Sequence, residues 1–167
     1  NNLKQAAKTM NFLTEHGIGS YGELESKLTA VSARRDAAHA EIKRVESRST
    51  ELALVMKHAG TYRQLKPLYD RYRKSNDKEK FLRGHESEII LFEAAARELK
   101  RLGTVPLPTT ESMKTELANL AAEKEQLLAE YKTARTEAQE YNTVKQNVDA
   151  LLAVPKEQEQ QRRHELE

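Results

Sequence analysis

The sequence contains no cysteine and no tryptophan. Without thiols there is no disulfide framework and no thiolate metal site, a pattern compatible with a reducing compartment. Glycine and proline are scarce, at 6 and 4 of 167 residues, and aromatic side chains make up only 5%. Long apolar runs are missing too. The bulkiest, "IILF" at residues 89–92, falls far short of the roughly 20 residues that span a bilayer. The opening "NNLKQAAK" has no secretory-signal layout. Neither sign of charge prevails: 28 Lys and Arg against 26 Asp and Glu leave a net +2. The chain as a whole therefore has no strong pull toward nucleic acid or membrane, and any such pull must be local. A soluble intracellular segment with no membrane partner is expected.

What the sequence has in quantity is charge, at 32% of residues, alongside Ala and Leu. That is the composition of long helices and coiled coils. A first helix is expected over residues 3–15, with Leu3, Ala6, Ala7, Met10 and Leu13 on one face and Gly17 as its left-handed stop. In "SYGE", Ser20 can cap the next helix, and Glu23 can reach back to complete a capping box.

The strongest pattern follows. Leu24, Leu28, Val31, Arg35, Ala38, Ile42, Val45, Ser49, Leu52, Met56 and Ala59 alternate spacings of four and three, and nine of these eleven are apolar. A 3.5-residue period sustained this far is a left-handed coiled-coil seam. Beyond Ala59 the spacing tightens, and Gly60 and Pro67 predict a bend before the helix ends near "KSND". A third helix is expected over 77–102, with a break at Gly84 and a stop at Gly103. "GTVPLPT" reads as extended; Thr109 then caps a fourth helix that Pro155 ends, leaving a disordered tail over 155–167.

The fourth helix carries its own seam: Met113, Leu117, Leu120, Lys124, Leu127, Tyr131, Ala134, Ala138, Tyr141, Lys145, Val148 and Leu152. Paired antiparallel with residue numbers summing to 176, Leu24 faces Leu152, Leu28 faces Val148 and Met56 faces Leu120. Arg35 then lies on the ring of Tyr141, and Lys145 and Lys124 lay their stems over Val31 and Leu52. A shift by one heptad fits as well. The expected fold is all-α: an elongated antiparallel coiled-coil arm (20–59 with 109–154) and a helical head (60–108) inserted between its two strands. The place of the N-terminal helix and turn, 1–19, is open.

The segments "KTMNFLTEHGIGSYGELESKL", "PLYDRYRKSNDKEKF", "HESEIILFEAAARELK" and "LPTTESMKTEL" resemble the C-terminal helical region of relaxases, the mobilization proteins of the MobA/MobL kind from Gram-positive integrative conjugative elements. The resemblance covers residues 8 to about 152. It implies a parent protein whose N-terminal domain nicks one DNA strand at the transfer origin, using a tyrosine nucleophile and a histidine-held metal, in the bacterial cytoplasm. None of that machinery carries over. Histidines occur singly, at 16, 39, 58, 85 and 164, so no catalytic residue, metal ligand or cofactor site is assigned to this chain.

Two stretches could still carry chemistry. "TYRQLKPLYDRYRK", residues 61–74, interleaves basic and aromatic side chains, as single-stranded nucleic-acid surfaces do. Tyr62, Tyr69 and Tyr72 fall at core spacing with Leu65, so packing inside the head is the plainer reading. Residues 57–83 hold nine basic and three acidic side chains. Arg63, Lys66, Arg71, Arg73, Lys74, Lys78, Lys80 and Arg83 are the candidate phosphate contacts, against the plainer alternative of a solvated face. In "HESE", His85 and Glu88 stand one turn apart, but a di-metal bundle needs a second such pair.

Two functions follow. The first is a non-catalytic accessory domain of a conjugative relaxase, contacting origin-of-transfer DNA, relaxosome components or type IV secretion and coupling proteins. The second is a coiled-coil interaction or oligomerisation scaffold with no nucleic-acid role. An internally paired arm predicts a monomer or weak dimer.

Overall fold

A computed structural model describes residues 1–166, apart from the side chains of Val154 and Pro155. It contains four helices and, among the described residues, no strand: α1 (Asn2–Glu15), α2 (Tyr21–Lys74), α3 (Lys78–Arg101) and α4 (Thr110–Glu165). The all-α fold is as expected.

The helix ends follow local chemistry. Gly17 and Gly103 have φ of 62° and 70°, a region open to glycine at no steric cost. Ile18 N–H donates to the Leu13 carbonyl and Gly17 N–H to that of Thr14; Thr104 and Gly103 repeat the pattern on Leu99 and Lys100. Both are Schellman stops. At the start of α2, Glu23 N–H donates to Ser20 Oγ, while the Glu23 carboxylate accepts from Gly19 N–H, one residue earlier than a capping box has it. Asp77 accepts from Lys80 N–H to cap α3, and Thr109 accepts from Ser112 N–H to cap α4. The backbone at His85 is non-helical, with φ −138° and ψ 24°, one residue after the expected break.

Helix α2 runs through both Gly60 and Pro67 and ends at Lys74, at the expected "KSND". Pro67 is exposed, so water can reach the carbonyl that its ring leaves unbonded. At the other end, α4 runs on to Glu165, past the stop expected at 155. The residues beyond are helix-forming Lys, Glu, Gln and Arg, and Arg163 pairs with Glu159 one turn away.

The chain divides into two compact units, residues 1–42 with 126–167, and residues 43–125. In the first, α2 and α4 lie antiparallel. Leu24, Val31, Ala138, Tyr141 and Val144 form its buried cluster, with Phe12, Leu13, Ile18, Leu28 and Val148 packed around it. The register differs from the expected one. Tyr21 bonds Asp149, Arg34 bonds Glu137, and the rings of His39 and Tyr131 meet at 5.7 Å. These pairs sum to 170 or 171 rather than 176, a slide of close to one heptad. Such a slide keeps most seam positions facing seam positions, so the four-three pattern alone does not choose between the two. It leaves Leu152 beyond the start of α2, and this expected seam residue is 54% exposed.

The slide also moves the seam cations. Arg35 bonds Asp36 rather than covering Tyr141. Lys145 lies 5.8 Å from the Tyr21 ring centroid and 3.4 Å from Asp149, not over Val31. Tyr141 is covered instead by α1: the Phe12 ring meets it edge-on at 5.1 Å and His16 lies at 5.7 Å. Thr9, only 2% exposed, accepts a hydrogen bond from Asn147. That settles the place of the first helix. Its inner face is Thr9, Phe12 and Leu13, whereas Leu3 and Met10 are exposed.

In the second unit α3 returns antiparallel along α2. Tyr72 meets Phe81, Tyr69 and Tyr62 meet Phe92, and Arg101 and Leu102 share a groove with Lys43, Ser47 and Leu54. Ile89, Phe92, Ala95 and Leu99 are its buried stripe. On α2, Val55 is buried beside the seam residues Leu52 and Ala59. Met113 and Leu120 bury the α4 side, and Lys124 bonds Glu46 across it at 3.2 Å instead of lying over Leu52. Because α3 reaches back to the level of Lys43, the compact unit begins there and not at residue 60.

Candidate nucleic-acid interface

The second unit contains the turn between α2 and α3, and six of the 28 Lys and Arg lie around it, within residues 71–83. Helix α2 ends at Lys74, where Ser75 N–H bonds the Tyr72 carbonyl. Ser75 Oγ accepts from Asp77 N–H, and Asp77 opens α3 as its cap. The turn spans three residues. It brings Arg71, Arg73 and Lys74 on the last turn of α2 next in sequence to Lys78, Lys80 and Arg83 on α3. Between residues 71 and 83 there are six basic side chains and two acidic ones, Asp77 and Glu79.

The eight candidate contacts separate into two groups. Arg63 is occupied: its guanidinium donates to Thr110 Oγ1 at 2.8 Å and to the Pro108 carbonyl, tying the start of α4 to α2. Lys66 pairs with Asp70 one turn on, at 3.1 Å. Arg71 lies over the Phe81 ring, 5.7 Å from its centroid, a cation–π contact. Arg73, Lys74, Lys78, Lys80 and Arg83 are exposed, and none forms an ion pair among the described residues.

Helix electrostatics treat these five unequally. Cations at a helix C-terminus complement the partial negative charge of the last turn, which accounts for Arg73 and Lys74. Lys78 and Lys80 occupy the first turn of α3, where the dipole disfavours positive charge. Local helix stability gives no reason for them.

The tyrosines of this stretch are half-buried, each packed by ring contacts. Tyr62 and Tyr69 both stack on Phe92, at 4.8 and 4.2 Å, and Tyr72 continues the row between Tyr69 and Phe81. His85 extends it, its ring 4.7 Å from Phe81. The His85 Nδ1 is buried without a hydrogen-bond partner and stands 3.8 Å from Glu88. Among the described residues no group of three or more His, Asp or Glu could hold a metal ion. His16 Nδ1 lies 2.8 Å from the Phe12 carbonyl at the C-terminus of α1.

Ion pairs set the other electrostatics. Arg101 beside Glu98 holds that carboxylate below its usual range and is itself raised. Arg48 is raised chiefly by its bond to Glu116. Ile90 and Leu91 on α3 are 54% and 55% exposed, although they lie in the apolar run "IILF". A helix cannot turn four consecutive side chains inward; Ile89 and Phe92 take the inner positions. No helix among the described residues is long and apolar enough to cross a membrane.

The chain matches no protein-family model, and comparisons with curated proteins and with solved structures return no match.

Proposed function

We propose that this chain is a non-catalytic helical accessory module of a conjugative relaxase, contacting origin-of-transfer DNA through the α2–α3 turn. The family assignment rests on the sequence resemblance. The DNA contact rests on one observation above all: Lys78 and Lys80 hold unpaired positive charge at a helix N-terminus, beside Arg73, Lys74 and Arg83. Stability does not require that arrangement. A polyanion would be its complement.

The seam offers less support for self-association. Leu24, Val31, Ile42, Val45 and Leu52 are already buried within one chain, so a dimer through this seam would first have to open it. Exposed Ile90 and Leu91 favour a second contact, with a protein of the relaxosome or secretion machinery.

Charge reversal tests the proposal. Arg73→Glu, Lys74→Glu and Lys80→Glu together should weaken binding to origin DNA by about tenfold or more at low salt. Lys132→Glu with Arg135→Glu, exposed on α4, should change it no more than about twofold. Circular dichroism should show equal helicity in both. Equal losses in the two variants would contradict the proposal.

A further inference from the structure

We infer that the α2–α3 turn binds duplex DNA by its phosphate backbone alone, and that no tyrosine of this hairpin stacks on a base. The inference rests on the DNA reading above and specifies its ligand.

Base stacking needs a free aromatic face, and the rings here are committed to one another. Tyr62, Phe92, Tyr69, Tyr72, Phe81 and His85 form an unbroken row of ring contacts, each between 4.2 and 6.1 Å. Phe92, which both Tyr62 and Tyr69 stack upon, is only 5% exposed. Arg71 lies over Phe81 within the row. Tyr69 has one face stacked on Phe92 and meets Tyr72 at a tilt, so a base would have to compete with ring neighbours already in place. The sequence of "TYRQLKPLYDRYRK" suggests a single-strand surface; the packing engages its tyrosines in ring contacts and leaves them half-buried. Exposed around the turn are the cations Arg73, Lys74, Lys78, Lys80 and Arg83. Point charges without stacking partners or base-reading geometry follow charge density. A duplex carries one phosphate charge per roughly 1.7 Å of axis, more than a single strand offers. Binding should therefore favour the duplex and ignore its sequence.

The test is fluorescence anisotropy with duplex and single-stranded oligonucleotides of equal phosphate number, each in two unrelated sequences. It is paired with tyrosine emission at saturation, which can be read directly because the chain has six tyrosines and no tryptophan. The expected result is a duplex affinity about threefold or more above the single strand, the two sequences equal within about twofold, and tyrosine emission unchanged. Tyr72→Leu, which keeps an apolar side chain in the row, should bind as tightly as the parent. Tighter binding of single strands with quenched tyrosine emission, or a loss of about tenfold or more in Tyr72→Leu at equal helicity, would overturn the inference and leave the DNA reading standing. Binding to neither form at low salt would overturn both.

Discussion

The hydroxyl of Tyr21, at the first residue of α2, donates a 2.6 Å hydrogen bond to the carboxylate of Asp149, 128 residues later on α4. Lys145 completes the group, within 3.4 Å of the same carboxylate. The bond holds Asp149 below its ordinary value of 3.8 and Tyr21 above its ordinary 10.0, and Tyr21 likewise raises Lys145. A lowered carboxylate adds stability above 3.8 that is lost as the pH falls through its folded value; a raised phenol adds stability below 10.0 that is lost as the pH rises through its own. Tyr21→Phe should therefore lower the Tm slightly at neutral pH. The difference should fade below about pH 4 and above about pH 10, as followed by thermal melts across pH. A difference constant over that range would remove the bond from the account.

The register makes a sharper prediction. Leu24 is 1% exposed and Leu152 is 54% exposed, although pairing at a sum of 176 would place them face to face. Leu24→Ala should cost roughly 2–4 kcal/mol in urea unfolding, and Leu152→Ala under about 0.5 kcal/mol. Comparable losses would restore the expected register.

Docking of α1 depends on Phe12, which packs edge-on against Tyr141 and stacks on His16 at 3.9 Å. Phe12→Ala should destabilise by roughly 2 kcal/mol. It should also speed amide exchange in α1 while the second unit stays protected, which hydrogen exchange would resolve by segment.

The charge of Arg63 and its position off the line of tyrosines place it among the candidate phosphate contacts. Its bonds to Thr110 and the Pro108 carbonyl make it a brace at the start of α4. Arg63→Ala should cost about 1 kcal/mol of stability and leave DNA affinity within about twofold. A binding loss without destabilisation would return it to the interface.

How much of this was legible depended on the range of the physics. The caps at Ser20 and Thr109 and the stops at Gly17 and Gly103 rest on neighbours within five residues, and the sequence shows them. The four-three seam is likewise visible, because its period is local. Register is not: a heptad slide keeps most seam positions matched, and the choice lies with flanking pairs such as Arg34–Glu137 and with α1 covering Tyr141. The buried face of α1 takes Thr9 rather than Met10, a polar residue that an apolar pattern passes over and that Asn147 meets with a hydrogen bond. Val55 escaped notice because the seam reading supplies α2 with one partner, whereas α3 gives it a second. At the candidate site the sequence identified the cations but not their engagements. Lys66 with Asp70 is visible at a spacing of four; Arg63 with Pro108 is not.

The salt dependence of duplex binding tests the central claim most directly. With five unpaired cations on the α2–α3 turn, log K should fall against log salt with a slope of about −4 to −5 if all five meet phosphates. Replacing Arg73, Lys74, Lys78, Lys80 and Arg83 with Gln should bring that slope close to zero at unchanged helicity. A slope equally steep in the parent and the five-fold variant would place the DNA contact elsewhere on the chain and contradict the account.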